Sequence, residues 1–249
     1  MAGERTVKGH PWREPLPLCD IPVIIICHNM LSDLVQLVRW LEDTGHQNVF
    51  LLDNASSYPP LLDYLTAAQH EVVRLRENMG HVAPWESGLV GRLGSQRPFI
   101  VSDPDILPEP WCPTDASVYF QALLLRHREF DKAGFGLRTD DLPEHFPHRE
   151  TVLRWERPYW EKELSAGVYA AHIDTTFAVH RPGTPYKVTE ALRTGAPYLA
   201  RHLPWYRDPR RPDTETAFYF SHRRQDIGYW NREELPAMVR NRTDDGRDE

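Results

Sequence analysis

Short, unbroken apolar runs alternate along the first half of the chain with stretches in which apolar residues recur every three or four positions. Ile21-Pro22-Val23-Ile24-Ile25-Ile26-Cys27 is rich in β-branched residues and stops at His28-Asn29. A strand covered on both faces reads this way. Leu34, Leu37, Val38 and Leu41 then follow at helical spacing, with Ser32 placed to cap and Gly45 just past the end. Asn48-Val49-Phe50-Leu51-Leu52 predicts a second buried strand, closing on Asp53-Asn54. Pro59 and Pro60 open a second helix carrying Leu61, Leu62, Leu65 and Ala68. Glu71-Val72-Val73-Arg74-Leu75 predicts a third strand, running into Asn78-Met79-Gly80-His81. A third helix is expected over residues 84–93 and a fourth strand over 98–102, ending at Asp103.

A β-α-β-α-β-α-β order demands a largely parallel sheet with helices on its faces. The predicted class is therefore α/β: a Rossmann-like, mixed, mostly parallel sheet flanked by helices, in a single compact domain. Polar residues fall just after each strand, and open α/β sheets bind ligands at that edge. His28, Asn29, Asp53, Asn54, Asn78, Asp103 and Asp105 are expected to converge on one crevice.

The second half is less regular. Asp115 can cap a helix over residues 116–127, and Ala133-Gly134-Phe135-Gly136-Leu137 reads as a strand leading into Asp140-Asp141. An aromatic, charged helix is expected over residues 151–164. The apolar segment from Ile173 to Val179 is interrupted by Asp174, and Arg201 to Tyr206 stands in a Pro-rich loop. Pro11, Pro15 and Pro17 mark residues 1–20 as an extended lead-in. Residues 21–108 and 109–240 form two halves, and 241–249 a flexible polar tail. No internal repeat or low-complexity tract is present.

Composition narrows the function. The chain has 249 residues, of which 41% are hydrophobic, enough for one sizeable core. A formal net charge of -7 gives no general pull toward nucleic acid or anionic lipid. The three cysteines, Cys19, Cys27 and Cys112, are odd in number and lack C-x-x-C spacing, which argues against a disulfide framework or a thiolate zinc site. The first residues have no apolar core of a signal peptide, and Val23 to Cys27 is too short to span a bilayer. A soluble cytoplasmic protein without a membrane span is expected, so Asn54-Ala55-Ser56 and Asn241-Arg242-Thr243 are idle as glycan acceptors.

The candidate chemistry centres on Asp103-Pro104-Asp105. Two carboxylates offset by one residue, on a turn after a buried strand, can face one hard cation, Mg²⁺ or Mn²⁺, shared with phosphate oxygens. The bland alternative is a strand-ending turn, since Asp and Pro favour turns. Asp53 can accept hydrogen bonds from a nucleobase or ribose, or simply end its strand. No G-x-G-x-x-G and no Walker loop are present, which argues against NAD chemistry and P-loop ATP hydrolysis. Asp174, flanked by apolar residues, suits a general base if burial raises its pKa; Glu144, Asp140 and Asp141 compete for that role. Trp155, Tyr159, Trp160, Trp205 and Tyr206 could stack on sugars or fill the core.

The segments IPVIIICHN, NVFLLDNASSYPPLLDYL, VVRLRENMGH and FIVSDPDILP, spanning residues 21–108, together resemble the GT-A-fold glycosyltransferases, close to the bacterial family 2-like group. GFGLRTDDLPEHF, YAAHIDTTFAVHRP and RTGAPYLARHLPWY in the second half resemble transferases of bacterial polysaccharide clusters. The resemblance implies a metal-dependent enzyme that moves a sugar from a nucleoside diphosphate sugar, with UDP the expected carrier, to a glycan or small-molecule hydroxyl. Residues 21–108 become the donor half and 109–240 the acceptor half. His28, Asn29, Asp53, Asn78 and Asp103 would contact the donor nucleotide. Asp103, Asp105 and His202 would hold Mn²⁺ or Mg²⁺. Trp85, Asp140, Asp141 and Trp205 would touch the acceptor or sugar. Asp174 falls where inverting members place their base, but Ile173 replaces the Glu of the usual Glu-Asp pair; a late histidine is more typical of retaining members and tips the expectation toward retention. A sugar-nucleotidyltransferase is the alternative enzyme, although His28-Asn29-Met30 lacks its Gly-rich loop. A non-catalytic nucleotide-sugar-binding protein is the alternative outside catalysis.

Overall fold

The computed structural model describes residues 12–223. The lead-in before Trp12, the tail from Asn241 and the Asn241-Arg242-Thr243 motif lie outside the described residues. Strands β1 (Val23–Cys27) and β2 (Val49–Asp53) are buried at every position. The cause is visible in the packing: Val23, Ile25 and Cys27 enter one core, and Ile24 and Ile26 enter a second on the opposite face. A period of two with both faces covered gives an unbroken apolar run. Each fully buried Ile contributes about 2 kcal/mol.

Helix α1 (Ser32–Asp43) buries Leu34, Leu37, Val38 and Leu41, as its spacing predicts. Gly45 follows at φ +91°, a conformation that favours glycine. Helix α2 (Pro59–Ala67) starts on two prolines, where a missing N–H costs no hydrogen bond. Strand β3 (Glu71–Arg74) is a half-exposed edge. The single helix expected over residues 84–93 is instead a 3₁₀ turn (Gly80–Val82), α3 (Ala83–Glu86) and α4 (Leu89–Gly94). The break is Gly88, at φ +77°. Strand β4 (Phe99–Ser102) and the short β5 (Ile106–Pro108) flank the Asp-Pro-Asp turn.

Beyond it come α5 (Ala116–Arg126), β6 (Lys132–Leu137), α6 (Arg149–Glu156), β7 (Glu163–Ser165), β8 (Val168–Ala170), β9 (Ala178–His180), β10 (Ala191–His202) and α7 (Thr214–His222). Three expectations are corrected here. The helix expected to reach residue 164 ends at Glu156 and tightens into a 3₁₀ turn containing Pro158. The segment from Ile173 becomes strand only at Ala178, so Asp174 lies in a loop. Arg201 and His202 end a twelve-residue strand, and only Leu203–Tyr206 leave it, as a 3₁₀ turn.

One ten-stranded sheet carries both halves, in the order β3-β2-β1-β4-β9-β6-β10-β8-β7, with β5 paired to β10. The register pairs run β1, β2, β3, β4, β6, β7 and β10 one way and β5, β8 and β9 the other. This is a mixed, mostly parallel, Rossmann-like α/β fold. Helices α1, α2 and α5 cover one face, while α3 and α4 cover the other. The chain passes from β1 outward to β2 and β3, then returns to place β4 on the other side of β1. Open α/β sheets bind ligands beyond the strand ends at such a reversal. Strand β9 slots antiparallel between β4 and β6 and joins the halves. Gly134 makes this close approach possible, because a Cβ there would lie 2.3 Å from the Phe177 carbonyl.

Candidate functional site

Asp103 leaves β4 and Asp105 enters β5, so the turn between them is held by strands at both ends. The antiparallel register of β5 and β10 pairs Ile106 with His202, and the Leu203 amide donates to the Asp105 carbonyl at 2.9 Å. His202 Nε2 then stands 3.6 Å from Asp105 Oδ2. On the other side, the Asp103 amide donates to the Thr175 carbonyl at 2.8 Å, and Thr175 Oγ1 donates back to Asp103 Oδ2 at 2.6 Å. Two strand registers therefore bring Asp103, Asp105, Thr175 and His202 together.

The electrostatics are unbalanced. Burial pushes the Asp103 carboxyl well above the usual carboxylate range, the Asp105 charge pushes it further, and Thr175 opposes both. Asp105 Oδ1 and His202 Nδ1 are buried with no hydrogen-bond partner among the described residues. Neither aspartate forms a direct ion pair with a lysine or arginine there; Asp105 faces His202 directly and feels the charge of Arg207, itself paired with Asp33, from further away. Among the described residues no group of three or more His, Cys, Asp or Glu side chains is arranged to enclose a metal ion. Two adjacent carboxylates, an unpartnered carboxylate oxygen and a neighbouring imidazole nevertheless fit a hard divalent cation that takes its remaining ligands from phosphate and water.

The other strand ends form a laced edge. Asp53 is buried, and its Oδ1 accepts the Ser56 amide at 2.9 Å. Asn54 ties the loops after β2 and β3, accepting the Met79 amide at 2.8 Å and donating to the Gly80 carbonyl at 2.9 Å. Asn78 Oδ1 accepts the Gly80 amide at 2.8 Å. Asn29 adopts φ +53° and is 1% exposed. Its Oδ1 accepts the Ser57 and Tyr58 amides, so this side chain holds the entrance to α2. His28 Nδ1 lies 3.0 Å from the Asn54 carbonyl, and burial pushes its pKa down.

Helix α7, which the sequence analysis did not predict, covers this edge. Phe218 lies 4.9 Å from Tyr58 and Tyr219 lies 6.3 Å from His28, ring centre to ring centre. Arg207 forks onto both oxygens of Asp33, and Glu215 accepts the amides of Leu31 and Ser32. The available signal was Asp213, whose side chain caps α7 by accepting the Thr216 amide at 2.7 Å.

Asp174 is exposed, against the expectation of a buried carboxylate. Its buried neighbour Ile173 points the other way, and the Tyr186 hydroxyl donates to Asp174 Oδ1 at 2.7 Å. Trp85 is half-buried behind Tyr186, their rings 5.3 Å apart, with its indole N–H donated to the Thr184 carbonyl. Trp205 is 2% exposed and packs in the core against His202, which removes it as a platform for a sugar ring. Asp140 is paired with Arg138 at 2.6 Å. Asp141 lies between Arg138 and Arg201 and accepts the Tyr206 hydroxyl at 2.6 Å, so it is engaged in a network over buried Glu109. Glu144 is exposed. No helix among the described residues is long and apolar enough to cross a membrane.

No protein-family model and no curated protein sequence matches the chain. Among solved structures it is similar to the mannosyltransferase PcManGT from Pyrobaculum calidifontis, in complex with GDP-Man and Mn²⁺. The identity is 13% and the TM-score 0.49, over 83% of this chain and 61% of that one. It is also similar to a UDP-glucose pyrophosphorylase complexed with UDP-glucose, at 14% identity and a TM-score of 0.37, over 70% of this chain and 76% of that one. The chain thus spans 61% of the mannosyltransferase's length.

Proposed function

We propose that this chain is a metal-dependent glycosyltransferase that moves a sugar from a nucleoside diphosphate sugar to a hydroxyl acceptor. The observation that carries the reading is the pair Asp103 and Asp105, whose charges oppose one another at the strand ends, with His202 the one basic side chain paired directly with either among the described residues. A bound divalent cation would relieve the repulsion between them. Asp103, Asp105 and His202 would hold Mn²⁺ or Mg²⁺. Such an ion neutralises charge growing on a departing diphosphate.

The remaining roles belong to the chain's own groups. The edge formed by His28, Asp53 and Asn78, roofed by α7, takes the nucleoside, with uridine the expected base. Asp174 is the carboxylate open to an acceptor: it is exposed, and among the described residues only its Oδ1 is hydrogen-bonded. Its Oδ2 accepts the proton of the acceptor hydroxyl as that oxygen bonds to the sugar's anomeric carbon. The bond from that carbon to the diphosphate breaks, and its electron pair leaves with the diphosphate. This single displacement inverts configuration; attack on the donor's own face, which the late histidine His202 suggests, retains it.

The test is Asp103→Ala and Asp105→Ala. Each should abolish Mn²⁺-dependent donor hydrolysis with the fold intact; unchanged turnover in either rejects the metal role. Thermal shift with UDP, GDP and CDP, each with and without Mn²⁺, identifies the base, since binding raises apparent stability by mass action. Binding without turnover would instead make the chain a nucleotide-sugar-binding protein. Pyrophosphate release from a nucleoside triphosphate and a sugar 1-phosphate would make it a nucleotidyltransferase.

A further inference from the structure

We infer that Tyr186 and Lys132 are positioning residues for Asp174, Tyr186 fixing its carboxylate and Lys132 fixing the backbone that carries it. The inference rests on the proposed role of Asp174 as proton acceptor.

Asp174 sits in a loop ahead of β9 whose backbone is tied on either side, the Ile173 amide donating to the Val188 carbonyl at 3.0 Å and the Asp103 amide to the Thr175 carbonyl at 2.8 Å. Two side chains restrain Asp174 itself. The Tyr186 hydroxyl donates to Asp174 Oδ1 at 2.7 Å and leaves Oδ2 to take a proton. Tyr186 is itself held, with its ring 5.1 Å from His81 and 5.3 Å from Trp85. Trp85 in turn is anchored through its indole N–H to Thr184.

Lys132 is the less expected group. It opens β6 and is 1% exposed, yet its ammonium meets carbonyls rather than a carboxylate. Nζ donates to the Asp174 carbonyl at 3.3 Å and to the Lys187 carbonyl at 2.5 Å. Lys187 follows Tyr186 in sequence. One ammonium therefore fastens the residue bearing the carboxylate and the residue next to the tyrosine that holds it. A buried ammonium is costly, and an apolar side chain would fill the same space in the sheet without that cost. The sheet alone does not call for it.

Burial pushes the Lys132 pKa down to about 8; Asp174 and Asp131 raise it, and Lys187 and Arg193 lower it further. His180, its partner across the β6–β9 ladder, has its pKa pushed well down by burial and by the Lys132 charge. The ammonium is thus charged at neutral pH and lost as pH rises through about 8. Turnover should decline over the same range as the clamp loosens.

The experiment follows Mn²⁺-dependent hydrolysis of UDP-glucose, UDP-galactose and GDP-mannose by the full chain, using whichever is turned over fastest. Tyr186→Phe keeps the ring and removes only the hydroxyl. It should lower kcat by about 10- to 100-fold, the cost of a misplaced catalytic group, and leave the donor KM unchanged. Lys132→Met should lower kcat comparably and abolish the decline above about pH 8. In an Asp174→Asn background, Tyr186→Phe should add no further loss. Wild-type kcat in Tyr186→Phe while Asp174→Asn is inactive overturns the positioning role alone. A Lys132→Met enzyme that keeps the alkaline decline overturns the part assigned to Lys132. Wild-type turnover in Asp174→Asn overturns the role of Asp174 and the inference with it.

Discussion

The Glu215 carboxylate of α7 accepts the Ser32 amide of α1 at 3.0 Å, so a residue near the end of the described chain caps the first helix. Ser32, which the sequence offers as the cap, is the first residue inside the helix, and the N-cap Leu31 makes no side-chain capping bond. The first N–H groups of a helix need an acceptor, and a carboxylate there also meets the positive end of the helix dipole.

Glu215→Ala should therefore destabilise the fold by about 1 kcal/mol, lowering Tm by about 2–4 °C. Ser32→Ala should stay within about 0.5 kcal/mol of wild type. Hydrogen exchange at the Leu31 and Ser32 amides should quicken in Glu215→Ala only. The reverse ranking of the two variants in calorimetry would remove Glu215 as the cap.

The same pair marks where sequence reasoning succeeds and where it stops. Strands β1, β2 and β4 are legible because both faces are covered and every position but the last of β2 and of β4, Asp53 and Ser102, is apolar. The Asp-Pro-Asp turn is legible because it follows such a strand. Strand β10 is not, since it changes partners along its length. It pairs with β8 up to Thr194, with β6 on both sides of a register shift between Thr194 and Leu199, and with β5 from Ala200. Arg193, Gly195 and Pro197 blur its pattern accordingly. Thr175, Lys132 and Tyr186 reach the site only because β9 inserts between β4 and β6. Thr175 lies 72 residues from the carboxylate it touches, and no local spacing encodes that contact. Apolar neighbours in sequence also misplaced Asp174, because in a loop they do not bury the residue between them.

Thr175→Val tests the support of Asp103. The substitution keeps the shape of the side chain and removes the hydroxyl that donates to Oδ2. A hydrogen bond to a charged group contributes about 1.5–3 kcal/mol, so Mn²⁺-dependent nucleotide binding should weaken about tenfold or more. Thr175→Ser should restore it. Titration calorimetry with UDP or GDP and Mn²⁺ provides the check, and equal affinities in the Val and Ser variants would dismiss the contact.

Asp103→Asn separates stability from function. The ionised Asp103 is disfavoured by burial and by Asp105, and the amide carries neither penalty while its oxygen still accepts from Thr175. In EDTA the variant should melt higher than wild type. With Mn²⁺ and nucleotide it should gain nothing, whereas wild type should rise. A lower Tm in EDTA would mean that the pair is already neutralised within the protein.

His46 should contribute to the loss of stability in acid. The Thr44 hydroxyl donates to the Trp40 carbonyl at 2.8 Å, so its oxygen accepts from His46 Nδ1, 2.9 Å away. His46 Nε2 is then left to accept from the Ser117 hydroxyl at 2.9 Å. Both contacts suit a neutral ring, and burial pushes the pKa down to about 4. An unfolded chain protonates its histidine near pH ~6.5. Between these values the unfolded state binds more protons, so stability is fully present above about pH 6.5 and is lost as pH falls through about 4. The full effect is about 3 kcal/mol. His180, also pushed down by burial, acts in the same direction. Urea midpoints at pH 7 and pH 4.5 should therefore fall further apart in wild type than in His46→Gln. An equal separation in the two proteins would place the acid sensitivity elsewhere.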